Sequence, residues 1–247
     1  MKDIMEGAGL KLFLLPYKVA PSRTGSDRSL GGVIECIPRA KSRDELGKQS
    51  NRSLKQEFLT RYGSEEGAAY KTAQRNFVLS LAGYAVATYI LQVKDRHNGN
   101  VMLDEDGHVI HIDFGFIFDI SPGGDLRFER AGFKYTAEMA EVMDGPTSEI
   151  TQWFEDLCVQ GYLAIRDHAD DFYNVADLMM DSALGCFKPT SMGALRERFQ
   201  LDKSEREAAA HMLSVVTGAY NNTTTSLYDQ FQYGKEKVWY YGGGSDQ

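Results

Sequence analysis

The alternation of apolar and polar positions divides the chain into a short extended part and a long helical part. Residues 10–19 (LKLFLLPYKV) and 31–38 (GGVIECIP) are compact apolar runs, which predicts two strands. Residues 20–30 (APSRTGSDRSL) are polar and turn-rich and read as a surface loop. A basic stretch, residues 39–61, reads as loop or weak helix. Residues 67–93 predict a long helix. Its second half, FVLSLAGYAVATYILQV, has 17 residues, fewer than the ~20 a membrane span needs, and contains Ser80, Thr88 and Gln92. A buried core helix is the expectation. NVMLD and HVIHID, joined by Glu-Asp-Gly, predict a hairpin. Residues 114–135 carry Gly and Pro without a helical period and predict a long loop, a feature that in compact domains tends to be functional. Beyond it the pattern is helical. Residues 147–165 carry an apolar stripe at Ile150, Trp153, Phe154, Leu157 and Tyr162. Residues 170–184 carry another at Phe172, Val175, Leu178, Met179 and Leu184. Both read as core faces, and Ser204-x-x-Glu207 reads as a capping box.

Composition narrows the class. The 247 residues are 43% hydrophobic and 25% charged, which excludes collagen-like, low-complexity and wholly disordered chains and suits one large domain or two small ones. A net charge of −8 argues against a globally basic nucleic-acid binder. The charge is polarised. Residues 39–61 hold seven Lys/Arg against three Asp/Glu, and residues 137–185 hold eleven Asp/Glu against one Arg. Two solvated faces explain this, and so does a basic edge that meets an anionic membrane. Three cysteines, Cys36, Cys158 and Cys186, suggest neither a disulfide framework nor a zinc site and fit a reducing compartment. The N-terminal apolar run is short and broken by Lys11, Pro16 and Lys18, unlike a signal peptide.

The chemistry concentrates between residues 94 and 124. Asp95-Arg96-His97-Asn98-Gly99-Asn100 precedes the hairpin, and Asp113-Phe114-Gly115 follows it. Phosphoryl transfer asks a protein for metal ions that neutralise phosphates and for a group that orients or deprotonates the attacking hydroxyl. Magnesium prefers hard oxygen ligands. Asn100 and Asp113 are such ligands at the two ends of a hairpin, and their separation of thirteen residues is consistent with one shared site. The imidazole of His97, with an ordinary pKa of ~6.5, suits proton transfer near neutral pH. Asp95 either orients that imidazole or contacts the substrate hydroxyl itself; spacing leaves both open. Arg96 reads as a salt-bridge partner that holds the loop.

DRHNGN, the hairpin and HIDFGF together resemble the phosphoinositide 3-/4-kinase family. The order Asp-Arg-His, rather than the His-Arg-Asp of protein kinases, favours lipid kinases and their large protein-kinase relatives. With LPYKV and GVIECIP ahead of it, QVKDRHNGNVMLDEDGHVIHIDFGFIFDISPGG is most similar to the type III alpha phosphatidylinositol 4-kinases, and the resemblance covers residues 9–233. It implies an α+β, protein-kinase-like fold of the phosphoinositide 3-/4-kinase type, with a mostly helical large lobe and an incomplete small-lobe sheet. Residues 1–37 would be the small-lobe remnant and hinge, 38–233 the large lobe, and 234–247 a partly flexible tail. The resemblance further implies ATP and Mg2+ as cofactors and phosphatidylinositol in a membrane surface as the substrate, phosphorylated on its 4-hydroxyl. It places the protein in the cytoplasm, peripheral at membranes and at the plasma membrane in particular. Glu35, Cys36 and Ile37 match the adenine-binding hinge. Asp95 and His97 match the catalytic-loop polar residues, with His97 the preferred base. Asn100 and Asp113 match the magnesium ligands, and residues 116–135 match the activation loop that reads the lipid headgroup. In that loop Arg127, Arg130 and Lys134 balance Asp119, Asp125 and Glu129. A neutral loop suits phosphatidylinositol itself, whose single phosphodiester would meet Lys134.

One departure stands beside the match. Only about thirty residues precede Glu35, and they hold no glycine-rich strand-turn-strand unit and no lysine in the context expected to grip ATP phosphate. The chain therefore reads as the end of a small lobe plus a whole large lobe. The alternatives are an inactive kinase lobe acting as a binding module, marked by nucleotide binding without turnover, and a related large protein kinase, marked by peptide phosphorylation. The basic stretch could approach anionic lipid; Trp239, Tyr240 and Tyr241 either sit at a membrane interface or belong to a tail that packs on the large lobe, and the acidic helices could face a regulatory subunit.

Overall fold

The computed structural model describes residues 1–24, 29–118, 131–182 and 184–241. Helix α1 (Lys2–Gly7) seats Met5 in the core. Residues 10–18, expected as a strand, lie as an extended ribbon across a long helix. There the Phe13 N–H donates to the Leu79 carbonyl at 3.2 Å, the Leu15 N–H donates to the Tyr84 hydroxyl at 3.2 Å, and Leu12 is buried. Helix groups take donors that a ladder would otherwise use. Pairing begins later, between β1 (Val19–Thr24) and β2 (Ser29–Ile34), antiparallel with Val19 opposite Ile34. The stretch expected as a loop is thus largely strand. Its polar residues suit a two-stranded sheet whose Val19, Val33 and Ile34 are themselves exposed, so no buried face imprints a period of two on the sequence.

The basic stretch is also more ordered than expected. It forms β3 (Ala40–Ser42), α2 (Arg43–Ser50) and α3 (Leu54–Tyr62). Both helices open on complete capping boxes, Ser42 with Glu45 and Ser53 with Gln56. Six of its seven cations make ion pairs: Arg39 with Glu105, Arg43 with Glu138, Lys48 with Asp44, Arg52 and Arg61 with Glu57, and Lys55 with Glu65 and Asp144. The protein itself neutralises most of the expected basic edge.

Helix α4 (Ala68–Leu91) is buried at every residue from 80 to 90, as the all-round apolar sequence requires. Ser80 and Thr88 return their hydroxyl protons to carbonyls one turn earlier, at Asn76 (2.7 Å) and Tyr84 (2.6 Å), so neither is a buried orphan. The predicted hairpin is β4 (Val101–Asp104) and β5 (Val109–His111), with Val101 opposite His111. β3 joins the other edge of β4. At its tip Gly107 has φ +90°, and a Cβ there would lie 2.8 Å from the Ala73 carbonyl oxygen, so only glycine lets the hairpin rest on α4. The Asn76 amide donates to the Asp106 carbonyl at 2.9 Å and the Val109 N–H to Ser80 Oγ at 2.8 Å, which locks the register.

The remaining helices are α5 (Ala137–Val142), α6 (Glu149–Arg166), α7 (Ala169–Leu178), α8 (Pro189–Phe199), α9 (Glu205–Ala219) and α10 (Thr223–Glu236). α6 packs between α4 and α9 and buries Phe154, Tyr162 and Ile165. The capping box at Ser204 and Glu207 opens α9. α7 differs from expectation. Of the expected stripe Phe172 packs on the core ring of Phe199, but Val175 and Leu178 are 64% and 81% exposed, as is Leu184 beyond the helix (52%), and Ala169 and Ala176 make the buried contacts, because the helix lies at the periphery against α8. Of the two readings of the aromatic tail, packing on the protein is the one seen: Trp239 is buried, and only Tyr241 of that cluster is exposed. Among the described residues no helix is long and apolar enough to cross a membrane.

Candidate active site

The candidate residues sit on the segments that flank the β4–β5 hairpin. The chain leaves α4 through Gln92 in a left-handed conformation (φ 50°), turns again at Asp95 (φ 63°), and turns once more after β5 at Asp113 (φ 57°). Aspartate tolerates this region better than most residues, and backbone held there concentrates at functional sites. The Asn100 carbonyl accepts from the Ile112 N–H at 3.1 Å, one step beyond the ladder. That bond holds Asn100 and Asp113 at the adjacent ends of the hairpin.

Arg96 acts as a main-chain staple. Its buried guanidinium donates to the carbonyls of Lys94 (2.8 Å), Ile112 (2.7 Å) and Asp113. The loop carrying Asp95 and His97 is thereby tied to the turn carrying Asp113. That turn is fixed from the other side as well: the Asp113 N–H donates to the Tyr17 hydroxyl at 3.2 Å, and Asp113 Oδ1 accepts from the Gly115 N–H at 3.1 Å.

His97 is buried beside Asp95, with Nε2 3.8 Å from Asp95 Oδ1. Burial pushes its pKa below the ordinary histidine value. Lys134 and Arg96 push the same way, and Asp95 and Glu236 oppose them. The ring is therefore neutral near pH 7. Its two amide contacts call for opposite tautomers. The Gly99 N–H lies 3.1 Å from Nδ1 and the Asn100 amide nitrogen 3.2 Å from Nε2, so only one of them is a full hydrogen bond to the neutral ring. Asn100 also donates to the Asp95 carbonyl at 2.9 Å, which leaves its amide oxygen as the free ligand atom.

Lys134, expected to meet the lipid phosphodiester, is turned inward. Its Nζ lies 2.7 and 2.9 Å from the two carboxylate oxygens of Asp229 on α10, and its side chain is 2% exposed. In this arrangement the ammonium is buried and paired with a carboxylate rather than presented at the surface. Residues 119–130, with Asp119, Asp125, Arg127, Glu129 and Arg130 of the expected activation loop, lie outside the described residues.

A cavity of about 1080 Å³ opens between β1–β2 and the hairpin. Glu35, Cys36 and Ile37 line one part of it, and Asp113 and Phe114 another. Tyr17, Met102 and Ile112 also line it, with Tyr84, Ala87 and Leu91 of α4. Glu35 braces the entry to the hairpin: its N–H donates to the Lys18 carbonyl and its carboxylate accepts from the Lys18 N–H, both at 2.8 Å. Its amide proton is therefore engaged, and the Glu35 carbonyl and the groups of Cys36 and Ile37 remain for a ligand. Tyr17, Met102 and Ile112 were not legible as site residues. Each lies in an apolar run whose pattern reports burial alone, and only the fold turns them to one cavity.

The family model described as phosphatidylinositol 3- and 4-kinase matches residues 14–188. The phosphatidylinositol 4-kinase stt4 of Schizosaccharomyces pombe is 46% identical over 94% of this chain, and the phosphatidylinositol 4-kinase alpha 1 of Arabidopsis thaliana is 45% identical over 94%. The phosphatidylinositol 4-kinase alpha 2 of Arabidopsis thaliana is 42% identical over 96% of the chain and 43% of its own length. This chain spans only 12% and 11% of the length of the first two. The match runs from the ribbon before β1, through the cavity and both flanks of the hairpin, to the end of the segment before α8, and the chain belongs to the phosphatidylinositol 3- and 4-kinase family.

Proposed function

We propose that the chain is the catalytic portion of a phosphatidylinositol 4-kinase, which transfers the ATP γ-phosphoryl group to the inositol 4-hydroxyl of phosphatidylinositol. The observation that carries this reading is the single cavity lined by Glu35, Cys36 and Ile37 together with Asp113. It supplies backbone groups for adenine at one side and a carboxylate for the phosphate end at the other, and its volume suits a nucleotide. In this reading β1–β2 belongs to the small lobe, residues 38–233 form the large lobe, and the tail packs back upon it.

The donor set fits magnesium. Asn100 offers its amide oxygen and Asp113 its second carboxylate oxygen, both hard ligands on a clamped frame. A metal held there would neutralise charge on the transferring phosphoryl group. The chain's own residues do the rest. Arg96 and Tyr17 fix Asp113, and Asp95 orients His97. The neutral imidazole takes the proton of the attacking hydroxyl at the nitrogen left unprotonated. Phosphatidylinositol, and position 4 on its ring, are inferred from the names of the relatives. Action at a membrane surface follows from that substrate. The test is ATP-dependent phosphate incorporation into phosphatidylinositol vesicles by the chain and by Asp113→Ala, with the product's phosphate position determined. The reading expects a 4-phosphate that depends on Asp113. Product formed equally by the variant, or at another position, would refute it.

A further inference from the structure

Trp239 lies beyond α10, yet it is built into the catalytic loop. The Asp44 N–H donates to the Asn98 carbonyl at 3.1 Å, the Asn98 amide donates to the Trp239 carbonyl at 2.9 Å, and the Trp239 N–H donates back to the Asp44 carboxylate. The three residues close a triangle between α2, the loop and the tail. Asn98 is buried and sits between His97 and Gly99. Without the tail its amide would be a buried donor with one partner fewer, a state that costs about 1–3 kcal/mol and favours rearrangement of the loop.

The indole is seated as specifically as the main chain. Gly47 leaves the space it fills: a Cβ on residue 47 would lie 2.0 Å from two indole carbons. The Arg43 guanidinium covers the ring at 4.1 Å from its centroid and is itself held by both oxygens of Glu138, at 3.0 and 2.6 Å. Socket, clamp and triangle all place one carbonyl, the one that receives Asn98.

We infer that Trp239 is a positioning residue for the catalytic loop: seated against Gly47 and Arg43, it fixes Asn98 and through Asn98 the placement of His97 and Asn100. The kinetic consequence rests on the kinase reading; the geometric claim does not.

The test is Gly47→Ala. Alanine favours helix over glycine by ~1 kcal/mol, so α2 is not weakened and the indole takes the perturbation. Three measurements are made on the full chain in a Trp153→Phe background. Acrylamide quenching of Trp239 should rise. Amide hydrogen exchange at Gly99 and Asn100 should accelerate. The kcat should fall roughly tenfold or more with KM for ATP within about twofold, since a 1 Å misplacement costs up to ~100-fold. Adding Trp239→Leu, which frees the space and keeps the carbonyl but gives up the Arg43 clamp, should slow exchange and recover kcat only in part; full recovery would overturn the role of the indole. Exchange at Gly99 and Asn100 unchanged by Gly47→Ala overturns the inference, whether or not the indole is released. Faster exchange with unchanged or higher kcat overturns it too, because the loop would not need the tail to work. A parent chain without turnover would count against the kinase reading alone, and the exchange comparison would still decide the positioning claim.

Discussion

Arg96 offers the sharpest test of how the site is held together. Its guanidinium reaches three carbonyls on two segments, at Lys94, Ile112 and Asp113. In Arg96→Lys the charge survives but the fork does not: an ammonium on a flexible stem reaches one of these carbonyls and leaves the others buried without a donor. At about 1.5 kcal/mol for each of two lost charge-assisted bonds, the cost is about 3 kcal/mol. For a domain of this size 1 kcal/mol moves Tm by about 2–4 °C, so the melting point should fall by about 6–12 °C in a thermal scan followed by circular dichroism. The same substitution unties the backbone of Asp113 from the loop of His97. Phosphoryl transfer to phosphatidylinositol vesicles should therefore drop about 10- to 100-fold at temperatures where the variant is still folded. The salt-bridge reading predicts the opposite, because lysine would preserve an ion pair. A Tm within 2 °C of the parent, together with unchanged kcat, would refute the staple.

Three further outcomes follow from particular contacts. Lys134→Met leaves Asp229 buried without its cation and should cost about 3–5 kcal/mol in chemical denaturation, whereas Lys134→Met with Asp229→Leu should regain most of that stability. Lipid kinase activity that stays lost in the stable double variant would revive Lys134 as a headgroup contact. Gly107→Ala, at φ +90° against the Ala73 carbonyl, should destabilise by at least about 1–3 kcal/mol, and an unchanged denaturation midpoint would mean the hairpin tip does not press on α4. His111 is fully buried against the Tyr84 ring at 4.7 Å, and burial, aided by Arg96 and Lys134, holds its pKa well below the ordinary value. The unfolded chain binds this proton below pH ~6.5 and the folded chain does not, so stability should decline as pH falls from ~6.5 toward the folded value, by up to ~1.4 kcal/mol per unit. The difference in unfolding free energy between parent and His111→Phe should carry that slope, and parallel pH profiles would contradict it.

What the sequence disclosed and what it withheld divide along the range of the interactions. α4, the hairpin and the capping box at Ser204 rest on contacts within a few residues, and each was legible. The pairing of Asn100 with Ile112 follows from the same local logic. The β1–β2 ladder was misplaced because neither face of that sheet is buried, so Val19 and Ile34 leave no alternation to read. The stripe on α7 is covered only at Phe172 and bare at Val175 and Leu178, because amphipathicity reports a face and not what covers it. The ion pair of Lys134 went unseen for a related reason: its partner Asp229 is 95 residues away, and no local pattern announces a pair at that distance.

The arginines carry the same lesson into the site. Counted as charge, Arg43, Arg96, Arg166 and Arg198 belong to a surface ledger in a chain of net −8. In the structure each donates to main-chain carbonyls, Arg43 in addition to its ion pair with Glu138. Arg43 reaches Arg52; Arg166 reaches Phe199, Gln200 and Lys203 at 3.0, 3.1 and 2.6 Å; Arg198 reaches Tyr89 in the last turn of α4. Phe199 ends α8, so Arg166 and Arg198 meet helix C-termini, where unpaired carbonyls and the helix dipole both favour a cation. A planar fork with five donors serves several such carbonyls at once, which an ammonium cannot do. Arg96 applies the same device to two non-helical turns, and these are the turns that carry Asp95 and Asp113. The site is thus held by guanidinium groups whose partners are main-chain carbonyls, and counting charges along the sequence overlooks them because a carbonyl partner leaves no mark in it.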